Sequence, residues 1–194
     1  MPASILSAAR VEAPDQLDSR SDLQLIAAIN AGDAAAFEVL YFRHRDWVVN
    51  LACRFTGSED LALDVMQETF LYLLRKFPGF RLTANLKTFF YPAVKNLSIG
   101  ARRKAQRFQS SEAEQVFLEN IADAPATKPD ELGHVLAALP KEQREVLWLR
   151  FVDGLSLTEI SKAMDIPLGT VKSRMHNALA TLRADERTKE FFER

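Results

Sequence analysis

Two short helical patterns separated by only three residues constrain the fold of this chain more than any other feature. They lie in the stretch SLTEISKAMDIPLGTVKSRMHNALATLR, residues 156–183, and are joined at DIP. Ser156 and Glu159 form a capping-box signature at the start of the first pattern. Apolar residues recur at helical spacing in both patterns. We therefore expect two short helices connected by a tight turn.

The second of these patterns separates apolar from polar residues. Its apolar stripe consists of Leu168, Val171, Met175, Ala178, Leu179 and Leu182. At about 100° per residue, the opposite side carries Thr170, Ser173, His176, Asn177 and Ala180, with Lys172 and Arg174 on the flanks. Small and amide side chains permit close approach to base edges in a major groove, and flanking cations reach phosphates. The layout is typical of a DNA-reading helix-turn-helix, although an ordinary αα-hairpin with a polar outer face shows the same pattern.

The remainder of the chain is also helical in pattern, which predicts an all-α fold. Earlier patterns have recognisable ends and run from Ser21 to Gly32, from Asp33 to Gly57, from Ser58 to the Pro-Gly at 78–79, and from Asn85 to Arg107. Pro92 lies inside the last of these, so we expect either a kink or a helix that restarts with Pro92 in its first turn. Later patterns end at Pro140 and run from Pro140 to about Val152, and strand-like alternation is absent from the sequence.

Charge is strongly segregated along the chain, although the formal net charge is only −1. Residues 81–107 carry 7 Lys or Arg and no Asp or Glu, whereas residues 108–140 carry 1 against 6. A basic block without acids is a candidate phosphate-binding surface, and a solvated helix face is the plainer alternative.

The acidic segment that follows is poorly periodic and divides the chain. We expect two small helical domains, residues 22–107 and 133–185, joined by a flexible acidic linker at 108–132, with tails at 1–21 and 186–194. No apolar window of about 18 residues and no signal-peptide pattern occur, so we expect a cytoplasmic protein without membrane insertion. The sequence has no Cys/His cluster with metal-ligand spacing and no Gly-rich phosphate loop. We expect no enzyme activity, metal or cofactor.

The stretch LALDVMQETFLYLLRKF has two distinct faces. One stripe consists of Ala62, Leu63, Met66, Phe70, Leu73 and Phe77, and the other face of Leu61, Asp64, Val65, Glu68, Leu71 and Tyr72. We expect the first to pack within its own domain and the second to dock on a helical partner that carries cations. A central helix buried on all sides is the alternative, but it would leave Asp64 and Glu68 costly to bury unless paired.

Two motifs in order resemble a known family. LPKEQREVLWLRF followed by GLSLTEISKAMDIPLGTVKSRMHNALATLR resembles the DNA-binding carboxyl-terminal domain of bacterial RNA polymerase sigma factors of the extracytoplasmic-function (ECF) kind, in the sigma-70 superfamily. Several response regulators share the core of this pattern. DVMQETF, however, looks like the polymerase-binding segment of sigma factors. The resemblance covers about residues 22–107 and 133–183.

This resemblance implies a dissociable transcription initiation subunit that binds RNA polymerase core and directs it to minus-35 and minus-10 promoter elements. In the family, the DVMQETF helix docks on the coiled-coil clamp of the β′ subunit. Asp64, Gln67, Glu68 and Phe70 match the motif positions, and the resemblance implies that the first three face the interface and Phe70 the domain core. Leu61 and Leu71, which lie on the same outer face, complete the expected polymerase-binding residues. The β flap is a second contact in the family, and an anti-sigma protein is a further partner that the sequence does not identify.

The stretch FPGFRLTANLKTFFYPAVKNLSIGARRKAQR resembles the part of sigma factors that melts and holds minus-10 DNA. Aromatic and amide side chains capture unstacked bases, and cations hold displaced phosphates. The candidates for binding bases are Phe80, Asn85, Phe89, Phe90 and Asn96. We expect only one or two of these aromatic residues to contact DNA. The candidates for binding phosphates are Lys87, Lys95, Arg102, Arg103, Lys104 and Arg107. Asn96 matches a characteristic family Asn, Phe89 stands where Trp is common, and Pro92 departs from the family pattern. Minus-35 candidates are Thr170, Lys172, Ser173, Arg174, His176 and Asn177.

Two other functions remain open at this point. A stand-alone helix-turn-helix regulator would bind duplex DNA as a dimer. A helical module that binds only protein is the third reading, and the basic block at 81–107 argues against it.

Overall fold

The computed structural model describes residues 18–110, 136, 138–185 and 188. Within these residues every regular element is a helix, so the predicted all-α class is confirmed. The helices are α1 (Asp22–Asn30), α2 (Ala34–Thr56), α3 (Glu59–Leu74), α4 (Leu86–Ser110), α5 (Lys141–Leu147), a π-helical turn (Trp148–Val152), α6 (Leu157–Met164) and α7 (Leu168–Ala184). Three predicted segments lie mostly outside the described residues: the two tails, the linker and the helical pattern that ends at Pro140.

The first two helices begin and end at the predicted residues. The Ser21 hydroxyl accepts from the Gln24 amide at 3.3 Å, and the Gln24 side chain accepts from the Ser21 amide at 2.7 Å, which completes the capping box of α1. The Asp33 carboxylate caps α2 by accepting from the Ala36 amide at 3.2 Å. Gly57 ends α2 at φ 69°, a left-handed conformation that favours glycine.

The boundaries of α3 and α4 differ from the predicted ones. α3 ends at Leu74 rather than at Pro78, because the chain tightens after it through a hydrogen bond from the Phe77 amide to the Leu74 carbonyl at 3.1 Å. α4 begins at Leu86, next to the predicted start at Asn85, and ends at Ser110. It continues through Pro92, so the restart, one of the two predicted alternatives at this residue, does not occur. The Asn85 side chain accepts from the Lys87 amide at 2.9 Å, and this contact supports the start at Leu86.

An aromatic cluster forms the core between α2, α3 and α4. Phe70 of α3 contacts Tyr41 of α2, with ring centroids 4.8 Å apart, and Phe90 of α4, at 5.3 Å. Phe90 is completely buried, so this candidate base platform belongs to the core instead. We call α1–α4 the N-terminal helical group.

The buried side of α3 is rotated from the predicted stripe. Leu63 is 41% exposed, whereas Val65, assigned to the outer face, is 2% exposed. Helix α3 packs against both α2 and α4, so its buried arc is wide and shifted toward Val65 and Thr69. That shift leaves Leu63 beside the acidic residues of the outer face.

The C-terminal helical group consists of α5, the π-helical turn, α6 and α7. In α6 the Ser156 amide donates to Glu159 at 2.8 Å and the Glu159 amide donates to Ser156 at 3.2 Å, as the capping box predicts. The turn between α6 and α7 is closed by the Ser161 hydroxyl, which donates to the Ile166 carbonyl at 2.6 Å. Val171 and Ala178 of α7 are completely buried. The predicted helix-turn-helix is confirmed.

The π-helical turn was not predicted. The Asp153 amide donates to the Trp148 carbonyl five residues back at 3.0 Å, so one extra residue is accommodated at the end of the helix that starts at Lys141. The turn buries the Asp153 side chain and leaves Phe151 65% exposed. The two helical groups meet here, and α4 also packs against α6.

The packing predicts that the same Phe→Ala change has different effects on the free energy of unfolding at a buried and at an exposed position. We expect Phe70→Ala to lower the free energy of unfolding by about 3–5 kcal/mol, because it removes a buried ring from between three helices. Phe151→Ala removes an exposed ring and should change it by less than about 0.5 kcal/mol. Urea denaturation followed by circular dichroism measures both, and equal midpoints for the two variants would contradict this packing.

Candidate polymerase and nucleic-acid interfaces

The outward side of α3 combines carboxylates with exposed apolar side chains. Asp64, Gln67 and Glu68 are exposed, and Leu61 is half-buried. Exposed apolar side chains surround them: Leu63 at 41%, Leu71 at 43%, Tyr72 at 38% and Leu74 at 46%. We call this surface the acidic α3 face. Apolar surface with acidic groups suits an apolar helix bearing cations.

The outer end of α4 carries a basic face. Asn96, Arg103 and Arg107 are exposed and fall on one side of the helix, with Gly100 between them. Lys104 is exposed beside this side. Arg102 is half-buried and donates to the Phe55 carbonyl at 3.4 Å, which turns it toward α2. The basic α4 face therefore consists of Asn96, Arg103, Lys104 and Arg107.

The aromatic candidates lie where α3, α4 and the loop between them meet. Phe89 is half-buried and stacks on Tyr72, with centroids 5.7 Å apart and planes 9° from parallel. Phe80 contacts Phe89 edge-on at 4.9 Å. The sequence places Tyr72 only on the docking face of α3. Its contact with Phe89 was missed, because the two residues lie on different helices that meet through long-range packing.

Asn30 fixes the loop that carries Phe80. Its side-chain oxygen accepts from the amides of Gly79 at 2.6 Å and Phe80 at 3.1 Å, and its amide group donates to the Phe80 carbonyl at 2.9 Å. These three hydrogen bonds join the end of α1 to a segment about fifty residues later. Nothing in the sequence around Asn30 indicates this role.

Two minus-10 candidates, Lys87 and Lys95, donate hydrogen bonds to the C-terminal helical group. The Lys87 ammonium donates to the Asp153 backbone carbonyl at 2.9 Å. The Lys95 ammonium donates to the Glu145 carboxylate at 2.8 Å. Hydrogen bonds from Ser156 lower the pKa of Glu159, and the backbone of Asn85 adds a smaller contribution. The sequence separated these residues into two domains, and the structure brings them together.

A buried carboxylate lies at the centre of this contact. The Asp153 side chain is 2% exposed and accepts from the Trp47 indole N–H at 2.7 Å and from Arg54 at 2.9 and 3.1 Å. Arg54 also lies over the Trp148 ring, 5.2 Å from its centroid. A buried charge is tolerated when donors surround it. We call Trp47, Arg54, Lys87 and Asp153 the Asp153 junction.

Glu145 of α5 and Lys95 of α4 form a second, half-buried ion pair between the two helical groups. Burial raises the pKa of Glu145 to about 7, against the opposing effect of Arg174 and Arg54. Burial likewise lowers the pKa of Lys95, with smaller effects from Lys141 and Arg174 in the same direction. The Lys95 ammonium at 2.8 Å favours the charged carboxylate and therefore acts against this rise in pKa. Arg174, a minus-35 candidate, therefore lies near the same carboxylate as Lys95.

The predicted reading face of α7 is largely exposed. Ser173, His176 and Asn177 are exposed, as is Lys172, whereas Thr170 and Arg174 are half-buried. The Ser173 hydroxyl donates to the Thr170 carbonyl at 3.0 Å. This surface presents small polar groups between two cations, which is the arrangement that major-groove contact requires.

Neither a metal site nor a membrane-spanning helix is found in the described part of the chain. No group of three or more His, Cys, Asp or Glu side chains there is arranged to hold a metal ion. No helix in that part is long and apolar enough to cross a membrane.

Known proteins share these features. Residues 40–108 match the family model "Sigma-70 region 2", and residues 130–182 match "Sigma-70, region 4". The chain is 31% identical over 173 residues to the ECF RNA polymerase sigma-E factor of Escherichia coli (strain K12), an alignment covering 81% of this chain and 90% of that relative. It is 28% identical over 173 residues to the ECF RNA polymerase sigma factor SigW of Bacillus subtilis (strain 168), covering 81% and 92%.

Solved structures share the fold. The sigma factor RpoE of Bartonella quintana, solved in complex with the anti-sigma factor NepR, aligns with a TM-score of 0.57 at 24% identity, covering 76% of this chain and 94% of that one. CnrH, solved with the cytosolic domain of CnrY, aligns with a TM-score of 0.58 at 22% identity, covering 82% and 93%.

The raised pKa of Glu145 predicts a pH dependence of stability. Its ordinary value of 4.5 applies to the unfolded chain, so between about pH 4.5 and 7 the folded chain keeps a proton that the unfolded chain releases. Stability should therefore fall as pH rises through this window. Relative to Glu145→Gln, we expect the wild-type free energy of unfolding to decrease by about 1–3 kcal/mol, since one pKa unit corresponds to about 1.4 kcal/mol.

Urea denaturation of both proteins at pH 5, 6, 7 and 8 measures this difference. The contributions of all other titratable groups cancel when the two proteins are compared, because only residue 145 differs between them. A difference that increases with pH would contradict the direction assigned to the Glu145 pKa.

Proposed function

The chain belongs to the sigma-70 family, among the ECF RNA polymerase sigma factors, and on that premise we propose that it directs polymerase core to promoters by binding two DNA elements. Helix α7 reads the minus-35 element. Helix α4 and the loop before it bind and help to melt the minus-10 element. The observation that carries this proposal is that one chain exposes a small-polar reading face on α7 and a basic face on α4.

The minus-35 contact uses the exposed face of α7. Ser173, His176 and Asn177 lie toward base edges in the major groove, and Lys172 and Arg174 reach phosphates on either side. The completely buried Val171 and Ala178 hold this face outward against the rest of the helix-turn-helix.

The minus-10 contact combines aromatic and basic groups. The stacked pair of Phe89 and Tyr72 offers a flat apolar edge for an unstacked base, and Phe80 is held next to it by Asn30. On the basic α4 face, we assign Asn96 to a base edge, and Arg103 and Arg107 to the phosphates of the displaced strand.

The acidic α3 face is the proposed contact with the β′ clamp of polymerase core. Its exposed leucines provide apolar area, and Asp64 and Glu68 provide charge complementarity to cations on the partner. We assign the C-terminal helical group to a contact with the β flap of polymerase core, on the basis of the family resemblance. We also include an anti-sigma protein among the partners, since RpoE of Bartonella quintana was solved with one.

A run-off transcription assay tests the proposal directly. Purified polymerase core is given genomic promoter fragments from the source organism, with or without this protein. Transcripts that appear only with it, from start sites sharing two spaced motifs, are the expected result. A protein that shifts duplex fragments alone but starts no transcription would instead support the stand-alone dimeric regulator.

The acidic α3 face predicts a loss of polymerase binding on charge reversal. We expect Asp64→Lys with Glu68→Lys to weaken binding to core at least about 100-fold, because exposed carboxylates opposite cations become repulsive. The matched control is Glu38→Lys with Asp46→Lys, two exposed acids on α2 that change the net charge equally. Fluorescence anisotropy with labelled protein measures both affinities. Equal affinity for the test and control variants would remove α3 from the contact.

The reading face of α7 predicts two kinds of effect. Lys172→Ala should weaken binding of the holoenzyme evenly across promoter sequences and reduce the salt dependence by about one counterion, because it removes a phosphate contact. Asn177→Ala and Ser173→Ala should change the preferred minus-35 base, by about 1–3 kcal/mol at the affected position. A base-by-base promoter scan separates these outcomes. An unchanged base preference for both variants would exclude them from the reading face.

A further inference from the structure

The loop between α3 and α4, residues 75–85, is held in place by one distant side chain. This loop carries Phe80, which lies next to the aromatic residues proposed to capture a minus-10 base. Within the described part of the chain, the backbone of residues 79–84 makes hydrogen bonds only with the Asn30 side chain. We call these three hydrogen bonds the Asn30 anchor. The position of the middle of the loop therefore depends on a residue of α1.

Asn30 uses three of the four hydrogen-bonding positions of its side chain for this loop. Its oxygen accepts from the amides of Gly79 and Phe80, which occupies both lone pairs. Its nitrogen donates one of two hydrogens to the Phe80 carbonyl. The side chain is also half-buried. An amide occupied in this way is suited to holding backbone in place rather than to contacting a base.

Helix α1 gives Asn30 a fixed support. At the beginning of this helix, the Asp22 carboxylate accepts from Arg43 of α2 at 2.8 Å and lies 2.9 Å from a ring nitrogen of His44. Leu25, in the middle of the helix, is completely buried. Asn30, at the other end, reaches the loop. A loop attached to a rigid element can keep one arrangement without regular structure of its own.

The Asn30 anchor determines where the Phe80 ring lies. The amide and the carbonyl of Phe80 both bond to Asn30, so the backbone that carries the ring is fixed relative to α1. The ring meets Phe89 of α4 edge-on, with centroids 4.9 Å apart, and Phe89 stacks on Tyr72 of α3. Aromatic groups that are already held at a fixed spacing bind a base more tightly, because less ordering is required on binding.

We propose that Asn30 is a positioning residue for minus-10 recognition: the Asn30 anchor fixes Phe80 beside Phe89, and the fixed loop sets which bases the minus-10 site accepts. The inference rests on the proposed function for the identity of the DNA surface. The Asn30 anchor itself is a feature of the free chain and does not depend on that function. Asn30 acts from the side of the loop that faces α1, without contact to DNA.

Hydrogen exchange in the free chain tests the Asn30 anchor. The test variant is Asn30→Ala, and the matched control is Asn50→Ala, the same change at an exposed position inside α2. Alanine is a better helix former than asparagine, so neither variant weakens its own helix. We expect exchange at the Gly79 and Phe80 amides, measured by NMR, to become at least about tenfold faster in Asn30→Ala. It should be unchanged in Asn50→Ala. Unchanged exchange in Asn30→Ala would overturn the proposal.

A binding measurement on the holoenzyme tests positioning. One probe is a fluorescent single strand with the non-template minus-10 sequence of a promoter found by run-off transcription, in which each base is varied in turn. The other probe is a duplex that carries only the minus-35 element.

The two probes separate positioning from a general loss of stability. If loss of the anchor leaves the binding-competent loop in about one tenth of the molecules, the apparent affinity for the single strand falls about tenfold. We expect this fall and a weaker base preference for Asn30→Ala, with unchanged affinity for the minus-35 duplex. Asn50→Ala should match the wild type with both probes. A residue that only stabilises the fold would leave the base preference unchanged.

A double substitution tests whether Asn30 acts through Phe80. In a Phe80→Ala background, Asn30→Ala should weaken binding of the single strand by no more than about twofold, because the group that it positions is already absent. Circular dichroism first confirms that each variant is helical. Additive effects, or an unchanged base preference for Asn30→Ala in a holoenzyme that transcribes, would overturn the proposal. Absence of transcription with the wild type, together with faster exchange in Asn30→Ala, would instead count against the proposed function.

Discussion

The packing of Phe70 between Tyr41 and Phe90 is the contact on which the candidate surfaces depend. These three rings join α2, α3 and α4 at one point, with centroid distances of 4.8 and 5.3 Å. A helix that buries one arc must expose the other. Once Phe70 faces inward, Asp64 and Glu68 face outward on α3, and once Phe90 faces inward, Asn96 and Arg103 face outward on α4. One aromatic core therefore orients two surfaces of opposite charge in different directions.

Local chemistry allowed part of this structure to be predicted from the sequence. Capping boxes at Ser21 and Ser156 are satisfied by residues three positions away, so their helices begin where the sequence indicates. The helix-turn-helix is equally local. The helical period also placed Phe70 inward and Glu68 outward. Leu63 was assigned wrongly, because the width and centre of a buried arc depend on how many neighbours a helix has, and α3 has two on that side.

The features that the sequence did not reveal depend on residues far apart in the chain. Asn30 fixes the loop at Phe80, and Asp153 meets Trp47 from 106 positions away. No short pattern contains both partners of such a contact. The π-helical turn is a further case, since a single extra residue leaves the helical period almost unchanged but redirects Asp153 inward. The sequence therefore indicates what kind of group a side chain binds better than it indicates which group that is. Lys87 and Lys95 are predicted to bind phosphate oxygens, and in the structure both donate to oxygens of the same chain.

Lys87 and Lys95 therefore each have an acceptor oxygen of their own chain within hydrogen-bond distance. An acceptor within one chain acts at a high effective concentration, on the order of millimolar for flexibly connected groups. Isolated DNA at lower concentration competes poorly with such an acceptor at Lys95.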